Sequence, residues 1–257
     1  MQNIQLGSTA KPAGNLAVRK LNEVRPAPLG WKLRNALRAG FLKGMIAKNV
    51  IVPFANFWGV ATAIADLEIK VRRWHDYEIE AQHFLKLRRE GFAKKAAGLF
   101  EEAEKLFAEA EAYAKTRTYF EDYGLVSHRV ITNNGVGFIV DSHQNLVEME
   151  ILNYHGIGTT NTAEAAGDTA LAAESTTALN PDNTRATGTQ SEPASNQYRS
   201  TGTLTADGSI AAVEHGLFSQ AATGGGVLFD RSVFSTINLA AADSIQTQYT
   251  VTYTAGG

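Results

Sequence analysis

The sequence predicts an α+β protein in which a helical region precedes an antiparallel β-sandwich of the jelly-roll or immunoglobulin-like type. Three changes along the chain predict this order. Residues 1–129 carry 21 Lys and Arg against 14 Asp and Glu, a charge of +7, whereas residues 130–257 carry 3 against 12, a charge of −9. Lys is absent after Lys115, where Thr, Ser, Ala and Gly become frequent. Apolar spacing changes with composition, from steps of three and four residues to alternation.

We expect three regions, an extended basic arm over residues 1–30, a helical docking region over 31–124 and a β-sandwich over 125–257. Prolines in the arm restrict its backbone to extended conformations, as in "RPAPLG". The chain start lacks the basic and apolar stretches of a secretory signal. The 17-residue segment 49–65 is apolar but interrupted by Pro53, Asn56 and Thr62, so a buried helix is favoured over a membrane span.

Helices are expected between residues 31 and 120. One covers residues 31–45, where an apolar residue recurs every four positions, at Leu33, Leu37, Phe41 and Met45. A helical hairpin is expected from residues 67–89 and 90–117, with Gly91 near its turn. The second arm carries an alternating four- and three-residue apolar repeat at Leu99, Ala103, Leu106, Ala110 and Tyr113.

Strands are expected in the remainder of the chain. Residues 128–143, "HRVITNNGVGFIVDSH", carry Asn-Asn-Gly between β-branched runs, which predicts a hairpin. Residues 244–254 alternate strictly and predict the strongest strand. Other predicted strands cover residues 197–204, 211–219, 226–230 and 233–238. Leu217, Phe218, Phe229, Phe234 and Ile245 are the expected core.

The stretch "YHGIGTTNTAEAAGDTALAAE" raises the question of a phosphate-binding loop. It supplies Gly156 and Gly158 but no third Gly, no following helix and no Gly-Lys-Ser/Thr sequence. A connection between strands is therefore favoured over a nucleotide site. The two glycines are expected to adopt turn conformations that residues with a Cβ resist.

Catalytic and metal sites are not expected, and neither is a cofactor. The chain has no Cys, which excludes disulfides, thiolate ligands and a Cys nucleophile. His155, His215, Glu214 and Asp230 match no metal-ligand spacing, so hydrogen-bonding histidines, either packed in the interior or at the surface, are favoured. No Gly-x-Ser-x-Gly motif accompanies the available Ser, His and Asp residues.

The basic N-terminal residues are the candidate partner-docking site. They fit an acidic protein surface, which we favour, or nucleic acid phosphates with Trp31 available to stack on a base. Glycan stacking on Tyr198, Tyr249 or Tyr253 is a further alternative without a site pattern. The candidate docking residues are Arg19, Lys20, Arg25, Lys32, Arg34, Arg38, Lys43 and Lys48.

Several motifs occur in order along residues 153–257. They are "YHGIGTTNTAEAAGDTAL", "TRATGT", "NQYRSTGTLT", "VEHGLFSQAATGGGVLFDRSVF" and the terminal "DSIQTQYTVTYT". In this order they resemble a β-rich module of tailed-bacteriophage virion proteins, found in fibre, tail-tip and head-attached components. The resemblance covers the last 40% of the chain and implies a structural protein without catalytic residues.

Within the matched module, structural roles are expected for Gly156, Gly158, Glu214, Phe218, Arg231 and Phe234. Glu214 and Arg231 are predicted to form a buried ion pair that holds two strands in register. The resemblance and the basic region together predict a decoration or cement protein of the phage head. It would bind the major capsid protein or neighbouring subunits and self-associate as a trimer, without membrane contact. The alternatives are a tail, neck or fibre-attachment protein and a nucleic-acid-binding protein acting through residues 11–48.

Overall fold

The computed structural model describes residues 23–129 and 131–255. Its first elements are strand β1 (Val24–Pro26), helix α1 (Leu29–Ala36), helix α2 (Ala39–Ile46), a π-helical segment (Ala47–Ile51) and helix α3 (Val52–Phe57). The single helix predicted over residues 31–45 is wrong, because the chain is extended at Arg38, with φ −65° and ψ 136°. Leu33 and Leu37 are exposed, since α1 packs through Trp31 and Asn35 instead.

Residues 62–74 form strand β2 (Thr62–Trp74), so the helix predicted to begin at residue 67 is wrong there. Apolar residues four positions apart suggested a helix, but the same residues belong to an alternating pattern that is typical of a strand. Buried Ala65, Leu67, Ile69 and Val71 alternate with charged or polar neighbours.

The predicted helical hairpin exists but with different arms. A π-helical segment (Tyr77–Ala81) leads into α4 (Gln82–Ala96), which is followed by α5 (Phe100–Lys115). The turn lies at Gly98, whose φ is +77°, and not near Gly91. Ala103 and Ala110 of the apolar repeat are buried, as expected.

Strand β3 (Thr118–Arg129) crosses the predicted boundary at residue 124. The hairpin predicted over residues 128–143 is wrong, since helix α6 (Asn133–His143) occupies most of that segment. The Asn-Asn-Gly sequence begins this helix instead of turning between strands. The hydroxyl of Thr132 accepts a hydrogen bond from Gly135 N at 3.0 Å, which caps the helix.

A 3-10 turn (Met149–Ile151) precedes eight strands, β4 (Tyr154–Gly158), β5 (Leu179–Asn180), β6 (Ala186–Thr187), β7 (Thr189–Ser191), β8 (Gln197–Ala206), β9 (Ile210–Phe218), β10 (Leu228–Leu239) and β11 (Ser244–Thr254). The last four strands, β8 to β11, agree closely with the predictions, whereas β4 to β7 were not predicted. The two strands predicted over 226–230 and 233–238 are one strand, β10. The strand over 244–254 has the predicted bounds.

The strands form two sheets, which gives an α+β fold with antiparallel pairing apart from the parallel pair β1–β3. One sheet has the order β1-β3-β2-β11-β8-β5, with β7 paired to β8, and the other has the order β10-β9-β4-β6. All eleven residues of β11 pair with β2, so the N-terminal half of the chain supplies a neighbour of the C-terminal strand.

Residues of both sheets share one apolar core. The five residues expected in that core, Leu217, Phe218, Phe229, Phe234 and Ile245, are each at most 1% exposed. Phe218 lies in a small adjoining cluster with Leu171 and Leu228. Burial is therefore confirmed for all five residues, and four of them lie in the shared core.

Candidate functional site

Three exposed aromatic side chains mark the candidate docking surface, which we define as Phe54, Phe57 and Trp58 at the end of α3. They are 66%, 76% and 68% exposed. The ring of Trp58 lies 6.2 Å from that of Phe54 and 5.6 Å from that of Phe57, so the three form one patch. Contiguous apolar surface of this kind marks interaction sites in proteins. The buried helix expected over residues 49–65 is therefore wrong.

The docking surface lies in a strongly basic segment. Residues 24–65 contain six Lys and Arg and no Asp or Glu. Val50, Ile51 and Val60 add further exposed apolar area around the aromatic patch. The segment combines apolar contact area with positive charge, which suits a partner surface that is apolar at its centre and acidic around it.

The eight predicted docking residues have different environments. Arg19 and Lys20 lie outside the described residues. Three others pair with carboxylates of this chain, Arg25 with Glu23 at 2.9 Å, Arg38 with Glu164 at 3.8 Å and Lys48 with Asp66. Lys32, Arg34 and Lys43 have exposed side chains and are the described residues best placed to meet a partner.

Helix α1 attaches the basic segment to the sheets. Trp31 is 5% exposed, and its Nε1 donates to the carbonyls of Ser235 at 2.9 Å and Thr236 at 3.0 Å. Asn35 donates to Val126 O and accepts from Ser235 N, both at 2.9 Å. Trp31 is therefore a structural residue, and its predicted availability for base stacking is wrong.

A partly buried polar contact holds the π-helical segment beside the sheet. Asp66 on β2 binds Lys48 and lies 2.7 Å from His128 Nδ1 on β3. Burial alone would raise the pKa of Asp66, but the hydrogen bonds from His128 and Lys48 outweigh it and hold that pKa below its usual value. Lys48 therefore forms an ion pair within the chain.

Close packing of α2 on β3 gives a testable prediction at Gly44. A Cβ at this position would overlap the backbone carbonyl of His128. Gly44→Ala is therefore expected to lower the free energy of unfolding by about 1–3 kcal/mol through overpacking, measured by urea denaturation. Gly137→Ala in α6 is the control, because no described atom lies within 4 Å of the added Cβ. It should be neutral or stabilising by about 0.5–1 kcal/mol, and equal destabilisation of both variants would contradict the prediction.

The glycines of "YHGIG" do not form a turn. Gly156 and Gly158 lie in β4, inside the second sheet, between β9 and β6. Close packing requires them, since a Cβ at Gly156 would lie 2.8 Å from the carboxylate of Glu174 and one at Gly158 would lie 2.7 Å from Ala173 O. The expected turn conformations are therefore wrong, although the preference for glycine has a structural cause.

The predicted pair of Glu214 and Arg231 is confirmed. Glu214 is fully buried on β9, and its Oε2 lies 2.8 Å from Arg231 Nε and 2.7 Å from Nη2. The same carboxylate accepts hydrogen bonds from Ala172 N and Ala173 N, at 3.2 Å and 2.8 Å. Arg231 on β10 also binds Asp168 at 2.9 Å. The network thus joins two strands to the segment that follows β4.

A second buried polar cluster lies between the sheets. His155 Nδ1 is 2.9 Å from His215 Nε2 and 2.9 Å from Thr247 Oγ1, and its Nε2 is 2.8 Å from Ser200 Oγ. Both histidines are fully buried, so of the two expected positions, interior and surface, the interior one is found. Burial lowers the pKa of His155 to about 3, and burial and the neighbouring His155 lower that of His215.

Three further possibilities are a metal site, a tyrosine that stacks on a sugar, and a membrane-spanning helix. Across residues 23–129 and 131–255, no group of three His, Cys, Asp or Glu side chains is placed to hold a metal ion. Tyr249 is fully buried and unavailable for glycan stacking, whereas Tyr253 is 38% exposed. No helix in the described part of the chain is long and apolar enough to cross a membrane.

No protein-family model matches the chain, and no curated protein matches it.

Sequence reasoning missed the docking surface. Residues 50–60 contain no charged residue, so no polar face distinguished an exposed helix from a buried one. The available signal was the cluster of Phe54, Phe57 and Trp58 directly after Pro53, in a segment that polar Asn56 and Thr62 interrupt.

Proposed function

We propose that this chain is a structural component of a tailed-phage virion, and within that class a capsid-associated decoration or cement protein. The observation that carries the proposal is the exposed patch of Phe54, Phe57 and Trp58 within a basic segment, mounted on a two-sheet body. The motif order over residues 153–257 supports the same class. In this proposal the two sheets form an antiparallel β-sandwich, supported by the apolar core that they share.

The proposed occupant of the docking surface is an acidic surface of the major capsid protein. Apolar contact would supply most of the binding free energy, at about 25 cal/mol per Å² buried, and Lys32, Arg34 and Lys43 would select an acidic partner. Binding to the assembled shell alone would stabilise the shell by mass action, without chemistry. Self-association, with a trimer as the proposed state, would add avidity between neighbouring sites.

Replacing the docking rings tests this proposal. Phe54→Ser with Trp58→Ser should reduce occupancy on heads that lack the protein by at least about tenfold, because about 2 kcal/mol or more of apolar contact is lost. The readout is copy number per particle by quantitative mass spectrometry, with thermal unfolding as the check on folding. Phe100→Ser is the matched control, since Phe100 is 63% exposed at the start of α5, outside the basic segment.

Copy number also distinguishes a head decoration protein from a protein of the tail or neck. Hundreds of wild-type copies per head would support decoration, whereas six or twelve would overturn it in favour of a tail, neck or fibre-attachment protein. If the Phe54→Ser, Trp58→Ser variant occupies heads as fully as the wild type, the docking surface does not bind the capsid.

Nucleic-acid binding remains the second candidate, favoured by the absence of acidic residues from residues 24–65. Three of the six described basic docking residues pair with carboxylates of the chain itself, which leaves fewer for phosphates. Full-length protein that shifts DNA in a gel at low salt, and loses the shift when the exposed Lys32, Arg34 and Lys43 are replaced with Gln, would support this candidate. No shift at low salt would exclude it.

A further inference from the structure

A cavity of about 570 Å³ that charged and hydroxyl side chains partly line lies beside the helical hairpin. It is bounded by α4, α5, the strands β2, β3, β11 and β8, and residues 180–187. The residues that decide its chemistry are Arg72, Arg88, Glu111, Thr203, Thr205 and Ser244. The cavity is separate from the docking surface and from the buried histidines.

Two arginines in the cavity share a single carboxylate. Arg72 Nη1 lies 2.6 Å from Glu111 Oε2, and Arg88 Nη1 lies 3.7 Å from Glu111 Oε1. Both guanidinium groups also approach the ring of Phe84, at 5.4 Å and 5.7 Å from its centroid. The two cations are therefore held close together, with one negative charge between them.

This positive charge is poorly solvated and incompletely paired. The side chains of Arg72 and Arg88 are only 14% and 18% exposed, whereas that of Glu111 is 50% exposed. Among the described residues, the buried Nε of each arginine has no hydrogen-bond partner. Burial lowers the pKa of Arg88, and the charge of Arg72 lowers it further against the opposing effect of Glu111. An additional anion would stabilise both cations.

Arg185 also lines the cavity but does not contribute to this excess of positive charge. Arg185 binds Glu174 through Nε at 2.6 Å and Nη2 at 2.9 Å, and its Nη1 donates to the carbonyls of Gln220 and Gly225. In contrast, Lys115 lines an adjoining cavity with Arg72 and Glu111 and adds positive charge there. The uncompensated charge thus lies between Arg72 and Arg88.

Hydroxyl groups extend from the arginines along the sheet. Arg72 Nη2 donates to Ser244 Oγ at 3.0 Å, and Ser244 Oγ lies 2.9 Å from Thr205 Oγ1. Thr203 stands two residues earlier on β8 with an exposed side chain. Such groups donate and accept hydrogen bonds, as the hydroxyls of a sugar or other polyol do.

We propose that this cavity binds the phosphate ester of a polyol, such as a sugar phosphate. The guanidinium groups of Arg72 and Arg88 bind the phosphate oxygens, in the planar two-donor geometry that arginine offers to phosphate. Thr203 contacts the hydroxyls of the polyol. Glu111 competes with the phosphate for the arginines and moves toward solvent when the ligand binds.

Calorimetric titration of the full chain at low ionic strength tests the proposal with three probes. Glucose 6-phosphate is expected to bind most tightly, inorganic phosphate more weakly, and glucose not detectably. Arg88→Gln should weaken glucose 6-phosphate binding by at least about tenfold, as loss of a charged hydrogen bond does. Glu111→Gln should strengthen it, because the competing carboxylate is removed. Arg89→Gln, an exposed neighbour on α4, is the matched control and should leave affinity unchanged.

Thr203→Val separates the two parts of the ligand. It should weaken binding of glucose 6-phosphate while leaving inorganic phosphate unaffected. Equal affinity for glucose 6-phosphate and inorganic phosphate would overturn the polyol part of the proposal. Absence of phosphate binding by wild-type protein, or equal affinities of the Arg88→Gln and Arg89→Gln variants, would overturn the site.

Discussion

Replacing Arg231 with Met is expected to lower the free energy of unfolding by about 3–5 kcal/mol. The substitution leaves the fully buried carboxylate of Glu214 without its cation, and the amides of Ala172 and Ala173 cannot compensate for a full charge. It also releases Asp168 and the segment that follows β4. For a chain of this size, such a loss corresponds to a fall in Tm of about 10 °C, measured by differential scanning calorimetry.

Two companion variants identify the cause. Arg25→Met removes an exposed pair, in which the side chains of Arg25 and Glu23 are 47% and 31% exposed, and should lower Tm far less, because solvent screens the attraction. Adding Glu214→Gln to Arg231→Met should recover part of the loss, because the unpaired buried charge is gone. If Arg231→Met melts at the wild-type temperature, the ion pair does not stabilise the two strands.

Acid is expected to destabilise the protein between pH 6.5 and pH 5 through the buried pair of His155 and His215. An unfolded histidine has a pKa near 6.5, whereas that of folded His155 is about 3. Between these values the unfolded state binds more protons, so stability rises with pH and levels off above about 6.5. Each such histidine contributes a slope of about 1.4 kcal/mol per pH unit, and the loss from His155 alone is about 2 kcal/mol at pH 5.

Urea denaturation at pH 8, 6 and 5 measures this slope in a range where most carboxylates stay ionised. His155→Gln should be less stable at pH 8, because its hydrogen bonds to Ser200 and Thr247 are altered, yet show a flatter pH dependence. His143→Gln is the control, since His143 is exposed at the end of α6. An unchanged slope in His155→Gln would show that other groups cause the acid sensitivity.

Local patterns predicted the structure correctly where buried residues recur at a regular spacing along one strand or helix. Alternation over β11 predicted its bounds, and every second side chain from Ile245 to Val251 is buried. The buried alanines of α5 followed from a helical repeat in the same way. Chemical complementarity predicted the pair of Glu214 and Arg231, because a charged residue within an apolar strand requires a partner.

Local patterns gave wrong predictions where the same residues fit both a helix and a strand, or both a turn and the start of a helix. Leu67 and Val71 are four residues apart, which suits a helix, but they also belong to the alternating set of β2. Pairing with β11, about 180 residues away, decided between them. Likewise the Asn-Asn-Gly sequence of a hairpin became the first turn of α6 once Thr132 could cap it.

The sequence by itself determined the faces of the C-terminal strands, their aromatic core and the basic character of residues 24–65, because these depend on neighbours within a few residues. Only the tertiary structure decided that β2 completes the sheet, that Phe54, Phe57 and Trp58 face solvent, and that Arg72 and Arg88 meet at Glu111. Each of those outcomes depends on which distant segment supplies hydrogen bonds, apolar cover or opposite charge, and a short stretch of sequence does not contain that information.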